Sequence, residues 1–196
     1  MWLCNTNRGD TELEFVEAIR DKQIISAMKR YLKAHSERDY LLFVFGINTG
    51  LKITELLNVK VCDVINPDGT YKEFYQLPGG DQEVFLNPKL RKAIRHYVQS
   101  NQLKHENYLF QSSKTQKPIT RQQAYRIIQQ AGKAAGFQGK IGTNSLRKTF
   151  GYHAYKRGVA ISLLQKHFHH STPSETLKYL GISKDEKIRT EIDVDL

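Results

Sequence analysis

The sequence predicts an α+β fold that is mainly α-helical, with one small antiparallel sheet of three strands. Two observations carry this. Apolar residues recur at helical spacing through most of the chain. Strand signals are confined to residues 59–87, where two turn clusters at 66–69 and 78–81 separate short extended runs.

In chain order, Asp21 is suited to cap a helix whose positions Ile24, Ile25, Met28, Tyr31 and Leu32 share one face. Residues 10–20 carry a weaker helical period. Residues 35–38 break the first helix, and Asp39 is expected to cap a strongly apolar helix over 40–48. Thr49-Gly50 ends it and residues 52–57 start another, with Leu51, Ile53, Leu56 and Leu57 inward and Lys52 and Glu55 on another side. Residues 59–64 read as the first strand, and 71–77 with 82–87 as a hairpin. Asn87-Pro88 opens a basic helix over 89–100 that buries Leu90, Ile94 and Tyr97. Residues 108–110 form a short extended piece. Thr120 caps a helix over 121–135, with Ala124, Ile127, Ile128 and Ala131 inward. Thr143 or Asn144 caps the next helix, striped by Leu146, Phe150 and Ala154. Arg147 lies one residue off that stripe, where a side chain looks into a cleft while its helix stays packed. Short helices follow, with His169-His170 at a helix end and Tyr179 beyond.

The 196 residues suit one domain over 19–183, an N-terminal arm over 1–18 and a C-terminal tail over 184–196. The formal net charge of +10 favours a polyanionic partner, most simply nucleic acid. Two cysteines, Cys4 and Cys62, make no disulfide framework and fit a reducing, cytoplasmic setting. The start carries no signal-peptide pattern, and the longest apolar run, about 41–47, is too short for a membrane span.

The chemistry concentrates at 143–181. A phenol oxygen (Tyr179) can attack phosphorus and form an ester. Arg147 offers a planar fork of donors that matches a phosphate. His170 can donate to a phosphate oxygen or handle a proton. The competing reading is structural, since the chain has ten tyrosines and most in helical domains fill cores. His167, His169 and His170 with Glu175 make a poor zinc site, because adjacent histidines do not converge on one ion from a helix. The acids are scattered rather than clustered, so neither a metal nor any other cofactor is expected.

These residues resemble the tyrosine recombinase (phage integrase) family. The family's H-x-x-R box stands here as Asn144-Ser145-Leu146-Arg147. Its paired G-H or N-H followed by Ser stands as His169-His170-Ser171, and Tyr179 follows His170 by nine residues. Upstream, Asn48 to Leu57 resembles the T-G-L-R-x-x-E-L-L box, about 95 residues before the second. Leu146 to Tyr155 matches the wording L-R-K-T-F-G-Y-H-A-Y of single-domain members. The resemblance implies the catalytic-domain fold and a metal-independent, site-specific recombinase or integrase. In that mechanism tyrosine attacks a DNA phosphodiester and keeps the 3′ phosphate, while a 5′ hydroxyl leaves and another later reverses the step.

It further implies a catalytic set of Tyr179, Arg147, His170, Lys52 and Asn144, with double-stranded DNA met by Lys52, Arg147, Lys148, Arg121 and Lys166. Three departures stand out. Lys52 replaces an arginine and loses the fork. Asn144 replaces a histidine and carries no proton near neutral pH. The family's hairpin lysine is absent: counting puts Gln76 or Leu77 there, and Lys72 sits at the wrong end of the strand. The resemblance therefore implies either a recombinase of reduced activity or a DNA-binding pseudoenzyme that regulates or assists a full-length recombinase. It also implies a bacterial, phage or plasmid origin. The apolar alternation of Ile188, Ile192, Val194 and Leu196 suggests a tail through which copies associate on DNA.

Overall fold

The computed structural model describes residues 16–183. The C-terminal tail and the first fifteen residues of the expected arm lie outside the described residues. The arm's last residues are integral to the fold, since Val16 and Ala18 are buried. Residues 16–20 are not helical.

The helix α1 (Lys22–His35) is capped by Asp21, whose carboxylate accepts from the Gln23 amide at 2.6 Å. The second helix, α2 (Glu37–Thr49), begins earlier than the apolar run suggests. Its cap is Ser36, whose hydroxyl accepts from the Asp39 amide; Asp39 instead sits in the acidic first turn, where it complements the helix dipole. All residues from Leu41 to Gly46 are buried, so α2 is apolar all round and runs through the middle of the fold. It packs on α1, on α3 (Ile53–Leu57), and on α5 (Pro88–Ser100) and α7 (Thr143–Lys156).

The sheet differs from expectation. It has two strands, β1 (Phe74–Gln76) and β2 (Glu83–Phe85), paired antiparallel with Tyr75 opposite Val84. Residues 59–64 supply no third strand, because most of that run forms the helical turn α4 (Val61–Val64). Asp63 decides this. An alternating strand would drive its carboxylate inward beside Val59 and Val61, whereas in the turn it accepts from the Lys60 amide at 2.8 Å while Val61 and Val64 are buried. Extended pairing there shrinks to single bridges, Lys60 with Tyr108 and Ile65 with Tyr71.

The expected hairpin, the Asn87 cap of α5 and the Thr120 cap of α6 (Arg121–Ala134) are all present. α7 is capped at Gly142, rather than at Thr143 or Asn144, both of which lie within the helix. The closing elements are α8 (Ile161–Phe168) and α9 (Pro173–Leu180). One core cluster joins α2, α3, the hairpin and α5. A second joins α1, α2, α6 and α7 around Met28, Phe43, Ile128 and Leu146. A third, Leu164, Phe168, Leu180 and Ile182, seats α8 and α9 beside α7.

Candidate active site

The site lies where the end of α2, the first half of α7 and the α8–α9 pair meet. Arg147 is 8% exposed and its guanidinium is anchored by two backbone carbonyls. Nη1 donates to the Gly50 carbonyl at 2.5 Å and Nη2 to the Phe168 carbonyl at 3.2 Å. The Phe168 ring stacks 4.6 Å beneath it. Burial lowers the Arg147 pKa, against the opposing pull of Tyr179 and Glu55; the group stays a cation at any working pH.

Two glycines make this approach possible. Gly50 caps α2 in the left-handed region, at φ 67°, and a Cβ there would collide with Phe150 Cδ1 and stand 3.0 Å from His167 Nε2. Gly151 lies one turn beyond Arg147. A Cβ there would meet Leu180 Cδ2 at 2.6 Å and Phe168 Cε2 at 2.7 Å. The bare backbone lets α9, which carries Tyr179, close onto α7.

Tyr179 is half-buried, and the charge of Arg147 acts on its phenol. Burial raises its phenol pKa, while the charge of Arg147 pulls it down. The His170 ring stands edge-on to the phenol, with centroids 4.9 Å apart. His170 Nδ1 is 3.1 Å from Thr176 Oγ1, and that hydroxyl lies 3.3 Å from the Thr172 carbonyl. A hydroxyl donating to Thr172 accepts from His170, which fixes the proton on Nδ1 and leaves Nε2 bare in the neutral ring. Burial first, then Arg147 and His169, lower the His170 pKa against Glu175, favouring that neutral form.

Lys52 is exposed beside this cleft as the N-cap of α3; its ammonium lies 3.9 Å from Glu55, whose carboxylate also accepts from the Lys52 amide. Asn144 is exposed in the first turn of α7. Arg121 and Lys166 are exposed on α6 and α8. Lys148 departs from the DNA contact expected of it. It is 7% exposed, and its ammonium donates to the Val16 carbonyl at 2.8 Å and lies 5.0 Å from the centre of the Tyr179 ring, so it faces inward.

The hairpin meets the site through Gln82, not through Gln76 or Leu77. Gln82 Oε1 lies 2.8 Å from His169 Nε2, and its amide nitrogen donates to the His167 carbonyl at 3.3 Å. Gln76 is exposed and Leu77 buried, while Lys72 Nζ donates to the Cys62 carbonyl at 2.9 Å, beside α4. Sequence reasoning missed Gln82, His167 and Gly151. No local signal marks Gln82, whose partner lies 85 residues away. His169 carried a usable one: it holds φ 58° at the α8 C-cap, a place that favours glycine and where a histidine invites explanation. Among the described residues, no group of three His, Cys, Asp or Glu converges as a metal site, and no helix is long and apolar enough to cross a membrane.

Over residues 15–186 the chain matches the phage integrase family. It is 40% identical over 173 residues to the probable integrase/recombinase YoeC of Bacillus subtilis (strain 168), covering 88% of this chain and 93% of that one. It is 31% identical over 152 residues to a tyrosine recombinase of Pseudothermotoga lettingae, covering 78% of this chain but only 52% of the relative. Among solved structures, XerA recombinase superposes with a TM-score of 0.70 at 22% identity, over 84% of this chain and 58% of that one. XerH recombinase bound to its difH substrate, before cleavage, gives 0.67 at 18% identity, over 87% and 52%. The protein belongs to the phage integrase family of tyrosine recombinases, and it spans about half the length of several of these relatives.

Proposed function

We propose that this protein is a site-specific DNA recombinase or integrase that breaks and rejoins duplex DNA through a phosphotyrosine at Tyr179. One observation carries the reading: the charge of the buried Arg147 bears on the Tyr179 phenol while the His170 ring stands edge-on to it, with centroids 4.9 Å apart. Arg147 and Tyr179 come from helices that pack directly on each other.

The chemistry follows from those groups. The Tyr179 phenol gives up its proton, and the bare Nε2 of His170 is suited to take it. The phenol oxygen bonds to phosphorus, and the bond from phosphorus to the 5′ oxygen breaks. The 5′ oxygen gains a proton and leaves as a hydroxyl, while the 3′ phosphate stays on the protein. Arg147 and Lys52 meet the charge on the phosphoryl oxygens, and the Asn144 amide adds a donor. The ester holds the bond energy, so a second 5′ hydroxyl restores the strand with no nucleotide cofactor.

The step is slow for its class. Losing a general acid costs about 10²–10⁴ in rate, and losing a preorganised donor roughly 10²–10³. These do not simply multiply. Lys52 keeps its charge without the fork, and the hairpin supplies Gln82 in place of a lysine. DNA is held mainly through phosphates by exposed cations such as Lys52, Arg121 and Lys166. Copies associate on DNA through residues 184–196, and deleting these should change sedimentation. The setting is the cytoplasm of a bacterium, with the protein encoded by its chromosome, a phage or a plasmid.

Relaxation of supercoiled plasmid tests this, since breaking and rejoining through tyrosine releases supercoils. Wild type should relax the plasmid and Tyr179→Phe should not. Binding by wild type without relaxation would favour a protein that holds DNA but does not cut it.

A further inference from the structure

Residues 16–20 form a non-helical segment that is tied to α7 along its length. The Glu17 amide donates to the Lys140 carbonyl at 2.8 Å, and the Ile19 amide to Thr149 Oγ1 at 2.8 Å. His153 Nε2 meets the Ile19 carbonyl at 3.0 Å, and Lys148 Nζ the Val16 carbonyl at 2.8 Å. Three side chains of α7 thus hold one short segment. The segment in turn reaches α9: Arg20 Nη2 donates to the Gly181 carbonyl at 2.6 Å, with its guanidinium 4.9 Å over the Tyr152 ring. Gly181 is the left-handed C-cap of α9, two residues after Tyr179.

Lys148 is the informative member. Burying an ammonium is costly unless it is paired, and a methionine would fill similar space without that cost. Here the ammonium joins two things that no apolar side chain could join, the Val16 carbonyl and the π face of Tyr179. The charged or titratable groups facing the phenol are Arg147 and Lys148 from α7 and His170 from the α8–α9 turn; Glu17 faces Lys148.

We propose that residues 16–20 form a positioning strap for Tyr179, with Lys148 clasping it beneath the phenol ring and Arg20 clasping it at the α9 C-cap. This rests on Tyr179 being the nucleophile. Lys148 and Arg20 touch no reacting atom; they set the height and angle at which the phenol meets phosphorus. A misplacement on the scale of 1 Å costs about a hundredfold in rate.

The test uses the full chain, with three readouts on Lys148→Met, Lys148→Arg and Arg20→Gln. Tyr179 ionisation is read without DNA by ultraviolet difference titration against the same variant carrying Tyr179→Phe. Plasmid affinity and the rate of covalent protein–DNA adduct formation are read separately. Lys148→Met should move Tyr179 ionisation to higher pH and slow adduct formation about ten- to a hundredfold at unchanged affinity. Lys148→Arg should restore both. Arg20→Gln, a change at an exposed residue, should slow adduct formation without moving the ionisation. Unchanged ionisation and rate in Lys148→Met would overturn the strap, as would an affinity that falls in step with the rate. If Lys148→Met does not fold, a full adduct rate in Arg20→Gln overturns it instead. A wild type that forms no adduct at all would sink the nucleophile reading, while the titration would still decide whether Lys148 acts on Tyr179.

Discussion

Arg147 donates to the Gly50 carbonyl across 97 residues of chain and so locks the two sequence boxes together. The carbonyl is presented because Gly50 turns the chain out of α2 in the left-handed region. Gly50→Ala should therefore destabilise the protein by about 2–4 kcal/mol, from left-handed strain together with overpacking against Phe150 and His167. Urea unfolding checks this; a loss under about 0.5 kcal/mol, within the range of ordinary surface changes, would contradict it.

Arg147→Lys should leave a cation in the cleft but lose the fork that reaches Gly50 and Phe168 together. Adduct formation should fall by about 10²–10³, with plasmid affinity changed far less. Equal losses in rate and affinity would assign Arg147 to binding alone.

His167 is packed against Phe150 and Phe168. Burial first, then Arg147, pushes its pKa from 6.5 to about 4. The unfolded chain takes up a proton near pH 6.5 that the folded chain refuses until about 4. Stability is therefore complete above pH 6.5 and falls as pH drops through that window, by up to about 3 kcal/mol. His167→Leu should flatten the fall between neutral pH and pH 5, measured by urea unfolding at each pH. An unchanged slope would mean that other groups set it.

DNA affinity should fall steeply with salt, because each phosphate contact releases counterions. Arg121→Ala should weaken binding about equally across sequences and reduce the log–log salt slope by about one. A slope unchanged by the substitution would take Arg121 off the DNA face.

Much of this architecture was legible in the sequence where one cause dominates. The capping residues Asp21, Asn87 and Thr120, the apolar α2 and the glycine at position 50 are local signals that fold as they read. The run 59–64 misled because Val59, Val61 and Val64 suit a strand, and only the preference of Asp63 for a nearby amide tips it into a turn. At the site, Tyr179, Arg147 and His170 were legible as a constellation. Lys148 was not: a lysine beside a basic helix face reads as a surface charge until the neighbouring carbonyl of Val16 and the ring of Tyr179 are seen to cover it. Gln82 was illegible for a different reason, since its partners come from a helix end far along the chain.

The most direct measurement traps the protein on supercoiled plasmid with denaturant, digests both, and locates the nucleotide-bearing peptide by mass spectrometry. An adduct on Tyr179, on the 3′ side of the break and lost in Tyr179→Phe, is expected. A modified residue other than Tyr179, or an adduct that survives in Tyr179→Phe, would contradict it.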